Sequence, residues 1–191
     1  MIPKSYLRWR HSKGFGVHSP YAYKFVTDVL RPGPYGYYSY RKVEELLTGT
    51  ERDNRKFIGL IRFTIRLMVF LNGKRIVATP AASRLAEIVA KSLDLPWKVI
   101  SLVSNSCKGD FEFEAGDIII IENEIADVAL LKMAIDNMAA IFAINPSADT
   151  RNILETPIPR GLLLKDPHKL ILIPRREMNY ISYDIKLRLT L

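Results

Sequence analysis

Four consecutive isoleucines, Ile118–Ile121, follow Asp117 and constrain the fold more than any other stretch of this sequence. A strand with one face in water alternates apolar and polar residues, whereas a strand buried on both faces is apolar throughout. We therefore predict a strand over residues 117–121 that lies inside a parallel sheet, with helices covering both faces of that sheet.

Short apolar segments typical of strands alternate with helix-type segments around this run. The predicted order is strand 75–79, helix 82–93, strand 98–103, strand 117–121, helix 125–138, strand 139–144 and helix 148–154. Alternation of this kind is typical of a parallel sheet with helices on both faces. The predicted fold class is therefore α/β.

The C-terminal segment predicts two more strands. Residues 169–173 form an apolar run that ends at Pro174, and residues 180–189 alternate strictly between apolar and polar side chains. Because little chain separates the two runs, we expect them to pair as antiparallel neighbours at one side of the sheet.

The N-terminal part of the chain predicts helices instead of strands. They cover residues 21–30, 41–47 and 51–71. Ser19 provides an N-cap for the first helix and Pro20 its first residue. Thr50 and Asp53 resemble a capping arrangement for the third helix.

One stripe of the third predicted helix is rich in arginine. Its members recur at helical spacing and are Arg52, Arg55, Gly59, Arg62 and Arg66. Apolar residues lie largely on the other side of this helix. We interpret the stripe as a solvated face opposite a core face, and the alternative is a specific anion-binding role.

The chain has 191 residues, which is the length of one ordinary domain of about 100–200 residues. We predict a single domain over residues 1–191, with an N-terminal helical region at 1–72 and a Rossmann-like α/β core at 73–191. Hydrophobic residues make up 48% and charged residues 25%, which excludes a disordered or collagen-like chain. A single cysteine, Cys107, excludes an intramolecular disulfide.

The net charge of +8 is concentrated in the N-terminal third of the chain. Residues 1–75 contain 15 Lys and Arg against 5 Asp and Glu, whereas residues 76–148 contain 5 against 10. The two parts either attract each other across one domain or leave a basic surface for an external anionic partner.

Cations and aromatic side chains are interleaved near the start of the chain. They are Lys4, Arg8, Arg10 and Lys13, with Tyr6, Trp9 and Phe15. Cations neutralise phosphates and aromatic rings stack on unpaired bases, so this segment suits RNA or another polyanion. The same residues describe an ordinary surface helix, and no RNA- or DNA-binding fingerprint accompanies them. Polyanion binding is therefore an alternative and not the leading function.

The sequence shows neither a secretory signal nor a membrane span. The N-terminal residues are basic but lack the apolar segment that export requires. The strongest apolar run, residues 57–71, is broken by Arg62 and Arg66 and is shorter than the roughly 20 residues that span a bilayer. We expect a cytoplasmic protein without a membrane partner.

Three stretches together resemble the class I S-adenosylmethionine-dependent methyltransferases. Residues 14–20, Gly-Phe-Gly-Val-His-Ser-Pro, are similar to the Gly-x-Gly-Ile/Val-His-Ser-Pro segment of small O-methyltransferase-like proteins. Residues 75–86 stand in the place of the family's first strand, glycine-rich loop and following helix. Residues 117–122 match the family's fourth strand, which ends in an acidic residue. The resemblance implies a Rossmann-like methyltransferase sheet, mostly parallel with an antiparallel C-terminal strand pair.

The resemblance also implies where a cofactor would lie. S-adenosylmethionine would contact the turn after the first strand and the acidic residue after the fourth. The positions concerned are Thr79, Pro80, Ala81, Ala82, Ser83 and Glu122. No catalytic residue is predicted.

The same positions depart from the family pattern. The family's first loop is rich in glycine because the cofactor lies against bare backbone there, and glycine tolerates that approach. Residues 78–83, Ala-Thr-Pro-Ala-Ala-Ser, contain no glycine, and Pro80 lacks an amide donor. The family's second strand ends in a carboxylate that binds the ribose hydroxyls, but residues 99–105 contain no Asp or Glu. We predict a retained fold with an eroded cofactor site.

Candidates for metal binding and covalent chemistry are sparse. Metal-dependent relatives hold a divalent cation with carboxylates after the fourth and fifth strands. The matching residues here are Glu122, Asn123, Glu124 and Asn145. A hard cation prefers several oxygen ligands, so this set is chemically possible, but it supplies few carboxylates and no metal site is predicted. His18 is predicted to hydrogen-bond the turn before the first helix, and Cys107 has no histidine partner for a nucleophilic role.

The leading functional hypothesis is a degenerate, non-catalytic methyltransferase-like protein that binds a partner, either a second copy of itself or another protein. The first alternative is an S-adenosylmethionine-dependent O-methyltransferase acting on a small molecule, with Glu122 orienting the substrate hydroxyl or a metal. The second alternative is the binding of RNA or another polyanion through the basic N-terminal third.

Overall fold

The computed structural model describes residues 3–14, 16–31, 38–100, 112–123, 127–158 and 160–187. Within these ranges the strands are β1 (Arg75–Ala78), β2 (Trp97–Val99), β3 (Asp117–Glu122), β4 (Ala140–Ile144), β5 (Gly161–Asp166), β6 (Lys169–Pro174) and β7 (Ile181–Asp184). They form one sheet in the order β2-β1-β3-β4-β6-β5-β7.

The α-helices of the same ranges precede, connect and cover these strands. They are α1 (Lys4–His11), α2 (Pro20–Phe25), α3 (Tyr38–Leu46), α4 (Arg55–Leu71), α5 (Ser83–Leu93), α6 (Val128–Asp136) and α7 (Ala148–Glu155). A π-helical turn, Val26–Leu30, continues α2. Two 3-10 turns, Gly49–Glu51 and Pro80–Ala82, precede α4 and α5.

The strand directions confirm the predicted α/β class and its mostly parallel, Rossmann-like sheet. β1 lies between β2 and β3 and is parallel to both, and β4 is parallel to β3. β6 runs antiparallel to both of its neighbours, β4 and β5. β7 pairs with β5 in parallel at the end of the sheet.

The expected pairing of residues 169–173 with residues 180–189 is wrong. β5, which the sequence patterns do not predict, forms a hairpin with β6 in which Asp166 lies opposite Lys169. β7 then returns along the other side of β5, with Tyr183 opposite Leu164. A tight turn is enough for the antiparallel hairpin. The segment from β6 to β7, residues 175–180, is longer because it passes the end of β5.

Each face of the sheet is covered by its own set of helices. On one face, residues such as Ile118 and Phe142 pack with α2, α3, α4 and α5. On the other face, the residues between them, such as Ile119 and Ile141, pack with α6 and α7. β3 is thus buried on both faces, as its apolar run predicts.

The third predicted helix begins later than expected. Asn54 caps α4 by accepting a hydrogen bond from the backbone N–H of Phe57 at 3.1 Å. Thr48 and Glu51 form a capping box that closes the separate 3-10 turn before it. Because this turn uses the residues just upstream, the N-cap of α4 is Asn54 and not Thr50, four residues later than predicted.

The arginine stripe of α4 enters the core and is not a solvated face along its whole length. Arg55 is exposed, Arg62 is half-buried and Arg66 is only 2% exposed. Nε of Arg66 donates to the backbone oxygen of Val29 at 2.8 Å, and Nη1 donates to the Tyr40 hydroxyl at 2.9 Å. Nη2 of Arg66 is buried with no acceptor among the residues described. Neutral oxygen atoms therefore hold this buried cation.

None of the helices in the described ranges is both long enough and apolar enough to cross a membrane. α4 is 17 residues long and contains the half-buried Arg62 and the buried Arg66.

Arg66→Ala tests the burial of this cation. Removing the side chain breaks two hydrogen bonds and leaves a cavity, and core truncations cost about 2–5 kcal/mol. We expect the free energy of unfolding to fall by about 3 kcal/mol. Urea denaturation followed by circular dichroism measures this change. The control is Arg55→Ala on the exposed part of α4, which should change stability by less than about 0.5 kcal/mol. Equal effects of the two substitutions would contradict the burial of Arg66.

Candidate functional site

The candidate site lies between β1 and β3, where the order in which the chain adds strands to the sheet reverses. From β1 the chain passes through α5 to β2 on one side, and from β3 it passes through α6 to β4 on the other side. α5 and α6 pack on opposite faces. In open α/β sheets a reversal of this kind leaves a crevice at the carboxyl ends of the strands, where ligands bind. Thr79 after β1 and Glu122 at the end of β3 lie at this position, which we call the crevice.

Thr79 connects the two strands that flank the crevice. Its backbone N–H donates to the carbonyl oxygen of Ile120 at 3.0 Å. Its hydroxyl oxygen accepts a hydrogen bond from the backbone N–H of Glu122 at 3.3 Å. The residue is fully buried. The side chain of the first residue after β1 therefore bridges the ends of β1 and β3.

The other residues predicted for a cofactor site follow Thr79 in one continuous turn. Ala82 is fully buried, Ser83 is half-buried, and Pro80 and Ala81 are exposed. The backbone N–H of Ala82 donates to the carbonyl oxygen of Thr79 at 3.0 Å. The structure thus brings five of the six predicted positions together at the start of α5, beside Glu122.

The backbone of this turn adopts no conformation that favours glycine. Thr79 has φ −71°, Ala82 has φ −90° and Ser83 has φ −59°. These values are available to every L-residue, unlike the positive φ for which glycine loops are used. The turn after β1 is therefore a compact 3-10 turn built from residues with side chains.

The carboxylate of Glu122 is the acidic group of the candidate site. Glu122 ends β3 and is half-buried. Burial raises the pKa of its carboxyl group, because desolvation disfavours the charged form. Among the residues that the structure describes, none donates a hydrogen bond to this carboxylate or forms an ion pair with it. Glu122 thus places a half-buried acidic group, without a bonding partner among the described residues, at the crevice.

β2 brings no carboxylate to the crevice in the part of the chain that is described. Its residues are Trp97, Lys98 and Val99. Ile100 follows them, is buried, and donates its backbone N–H to the carbonyl oxygen of Ala78 at 2.8 Å. Residues 101–111, which include the rest of the predicted strand and Cys107, lie outside the described ranges.

The asparagines at the matching metal-ligand positions form turns at strand ends. Asn123 and Asn145 have φ of 52° and 44°, and their backbone N–H groups donate to Ile144 at 3.1 Å and His168 at 2.7 Å. Glu124 lies outside the described residues. Within the described ranges, no group of three or more His, Cys, Asp and Glu side chains is placed to hold a metal ion.

Residues 14 and 16–20 of the segment that resembles the N-terminal motif lie between α1 and the first turn of α2. Gly14 and Gly16 have φ of 84° and 76°, which favours glycine at both positions. A Cβ atom on Gly14 would lie 2.8 Å from Cε2 of Tyr23. Ser19 caps α2 as predicted, its hydroxyl accepting a hydrogen bond from the N–H of Ala22 at 3.3 Å. Local backbone and packing requirements therefore account for these residues of the motif.

His11, and not His18, is the histidine of this region that makes a hydrogen bond in the described part of the chain. His18 is exposed and forms no hydrogen bond with the described residues, so its predicted bond to the turn is absent. Nδ1 of His11 lies 2.6 Å from the carbonyl oxygen of Asp184, and its ring meets Tyr183 edge-on. The Tyr183 hydroxyl accepts a hydrogen bond from the N–H of Ser19 at 3.3 Å. Nothing local in the sequence marks His11, because its partner is 173 residues away.

An ion pair fixes the start of α5 to the N-terminal helices. Arg84 donates to both carboxylate oxygens of Glu51, at 2.8 and 2.9 Å, and to the backbone oxygen of Leu46 at 3.1 Å. It also donates to Glu87 at 2.9 Å. The Arg84 guanidinium, helped by the backbone N–H of Thr48, lowers the pKa of Glu51 to about 2. The helix that begins at the candidate site is therefore anchored by a charged pair.

A cavity of about 690 Å³ opens at the other end of the strands from the crevice, at the amino ends of β3 and β4. Gly116, Met138 and Arg175 are among the residues that line it. Its lining includes neither the turn at residues 79–83 nor Glu122. This cavity is therefore separate from the crevice.

Comparison with known proteins does not assign a family. No protein-family model matches the chain, and no curated protein matches it. Among solved structures, the chain is similar to a crystal structure of a mutant of MtNAS, a nicotianamine synthase, with 12% identity and a TM-score of 0.31. The match covers 71% of this chain and 68% of that chain. A likeness of this size carries no argument about function, and the fold assignment rests on strand order and direction.

Glu51→Gln tests the anchor of α5. Because the pKa of Glu51 is lowered to about 2 in the folded protein, the charged pair stabilises the fold above the ordinary carboxyl pKa of 4.5 and loses this effect as the pH falls toward 2. At neutral pH we expect a loss of about 1 kcal/mol or less, as for other partly exposed ion pairs. Urea denaturation at a series of pH values measures this loss in the free energy of unfolding. Asp53→Asn, an exposed carboxylate nearby, is the control, and a loss that does not change with pH would argue against the pair.

Glu122→Gln tests whether this carboxylate is unsatisfied. Burial raises its pKa above the ordinary 4.5, so the charged form destabilises the fold at neutral pH and the penalty disappears as the pH falls below that value. We expect the substitution to stabilise the protein at neutral pH by up to about 0.5 kcal/mol. Calorimetric unfolding at neutral and acidic pH measures the difference, with Glu45→Gln on the exposed side of α3 as the control. A loss of stability at neutral pH would reveal a bonding partner for Glu122.

Proposed function

We propose that this protein is a degenerate methyltransferase-like protein that transfers no methyl group and acts by binding a partner. The partner is a second copy of the chain or another protein. The observation that carries the proposal is the hydrogen bond between the Thr79 hydroxyl and the N–H of Glu122. It joins β1 to β3 at the place where the cofactor would lie in the methyltransferases that the sequence resembles.

The chemistry of the turn after β1 supports this proposal. A cofactor that lies against a glycine loop approaches free backbone N–H groups closely. Here residues 79–83 all carry side chains, Pro80 has no N–H, and the N–H groups of Thr79 and Ala82 already donate within the fold. Each buried polar group left without a partner costs about 1–3 kcal/mol, so losing several such contacts weakens binding by orders of magnitude. The residues of this turn do not fit S-adenosylmethionine.

The end of β2 also supports the proposal that this protein transfers no methyl group. In the resembling family a carboxylate at this position binds the ribose hydroxyls of the cofactor. Residues 97–100 offer only apolar side chains and Lys98. A cation in this place provides no acceptor for a hydroxyl donor.

Glu122 favours a second candidate function, that of an S-adenosylmethionine-dependent O-methyltransferase acting on a small molecule. A half-buried carboxylate with a raised pKa, and without a partner among the described residues, is suited to orient a substrate hydroxyl. This candidate needs cofactor contacts other than those of residues 79–83. A binding measurement separates it from the leading proposal.

Isothermal titration calorimetry of the full chain with S-adenosylmethionine tests the proposal. We expect no saturable heat and a Kd weaker than about 1 mM, because the turn provides too few free donors. S-adenosylhomocysteine is the matched second titrant, since a methyltransferase binds both forms of its cofactor.

A micromolar Kd for either compound would overturn the proposal and favour the O-methyltransferase. Sedimentation velocity of the same sample shows whether the partner is a second copy of the chain. A monomer at every concentration would exclude self-association and leave another molecule as the partner.

A further inference from the structure

The outer side of α1 carries a continuous stripe of aromatic and basic side chains. Its members are Tyr6, Trp9 and Arg10 on α1 and Lys13 in the turn that follows, which we call the aromatic stripe. Steps of three and four residues bring side chains to the same side of a helix. The stripe therefore forms one surface.

The rings of the aromatic stripe are already stacked and open to solvent. Tyr6 is 48% exposed and Trp9 is 42% exposed. Their centroids are 5.9 Å apart and their planes differ by 30°. The guanidinium carbon of Arg10 lies 6.0 Å from the centroid of the Tyr6 ring. The stripe thus presents ring faces next to a cation.

The inner side of α1 is attached to the edge of the sheet. The carbonyl oxygen of Arg8 accepts a hydrogen bond from the N–H of Lys186 at 3.3 Å, and its guanidinium lies 3.8 Å from the Asp184 carboxylate. Nδ1 of His11 contacts the carbonyl oxygen of Asp184 at 2.6 Å. These contacts hold the helix in place and leave the aromatic stripe facing outward.

The surface continues beyond the end of α1. Tyr23 on α2 is 51% exposed and packs against the turn at Gly14. Lys24 beside it is also exposed. The first acidic residue of the chain is Asp28, so α1, the turn and α2 bring no carboxylate side chain to this surface. The charged side chains that these elements present to an anionic partner are therefore all basic.

We propose that the aromatic stripe, extended by Tyr23 and Lys24, binds single-stranded nucleic acid. Stacked aromatic side chains accept unpaired bases on their faces, and neighbouring cations neutralise the phosphates. Arg10 adds a cation–π contact beside the rings. Because a duplex keeps its base faces stacked inside, the surface selects single strands.

An anionic membrane fits the same surface less well. A helix that lies on a membrane inserts an apolar face rich in aliphatic and aromatic side chains. α1 has eight residues, and its one aliphatic side chain, Leu7, lies off the aromatic stripe by helical position. Ring faces beside cations serve stacking better than insertion.

This inference goes beyond the proposed function, whose partner is a second copy of the chain or another protein, and does not rest on it. It uses α1 and α2 and no residue of the crevice. Binding of S-adenosylmethionine would therefore overturn the proposed function and leave this inference standing. Failure to bind nucleic acid would overturn this inference and leave the proposed function standing.

Tryptophan fluorescence of the full chain tests the inference directly. The chain has two tryptophans, Trp9 on the stripe and Trp97 on β2 at the other end of the sheet. Trp97→Phe leaves Trp9 as the single tryptophan reporter. We expect a dodecamer of oligouridylate, titrated at about 50 mM salt, to quench its emission. Fluorescence anisotropy of the labelled dodecamer gives the affinity.

Substitutions on the stripe separate stacking from charge. Trp9→Ala should weaken binding about tenfold, which is near the lower end of stacking contributions. Trp9→Phe keeps a ring and should restore most of the affinity, and Trp97→Ala is the matched control that should leave it unchanged. Arg10→Gln should reduce the salt dependence of binding by about one unit of slope. Circular dichroism verifies that each variant is folded.

Several results would overturn the inference. They are no binding of the dodecamer at low salt, equal affinity for a duplex of the same length, and a folded Trp9→Ala variant that binds like the parent. A blue shift of Trp9 emission with phosphatidylserine-containing vesicles, without a response to the dodecamer, would instead assign the surface to membranes.

Discussion

The burial of β3 on both faces is the constraint on which the rest of the structure depends. Its isoleucines point alternately into two clusters, so the sheet needs helices on each side. Because crossover connections between parallel strands keep one hand, the chain must leave β1 and β3 in opposite directions to cover both faces. That divergence creates the crevice between Thr79 and Glu122. The place of the candidate site is therefore fixed by the core before any residue of the site is considered.

The N-terminal helices belong to this arrangement. α2, α3 and α4 complete one face of the sheet, with the buried Arg66 held between them by neutral oxygen atoms. Arg84 ties the start of α5 to Glu51, so the helix that opens the crevice is attached to the same region. α1 lies at the edge of the sheet formed by β7, and its outer side is the surface to which we assign a partner. In our proposal, the scaffold of a cofactor-binding crevice supports a function carried by its outer surface.

Local sequence rules predicted the elements better than their partners. The apolar run of β3, the Ser19 cap and the alternation of strands and helices follow from short stretches of chain, and the structure contains all of them. The pairing of β7 with β5 does not follow from a short stretch of chain, because it depends on β5, a strand that the sequence patterns did not predict. Helical spacing places Arg66 on a stripe but says nothing of what covers that stripe. The position of Thr79 followed from a resemblance, whereas its hydrogen bond to Glu122 depends on β1 and β3 being neighbours in space.

Two-dimensional amide NMR of the full chain, titrated with S-adenosylhomocysteine, tests most directly whether Thr79 blocks the crevice. The measurement reports on the backbone N–H groups of Thr79, Ala82 and Glu122, all of which donate within the fold. If the bridge occupies the place of the cofactor, these three resonances stay in place up to millimolar concentrations. Saturable shifts centred on the same three amides would show that the crevice accepts the cofactor and would contradict our interpretation.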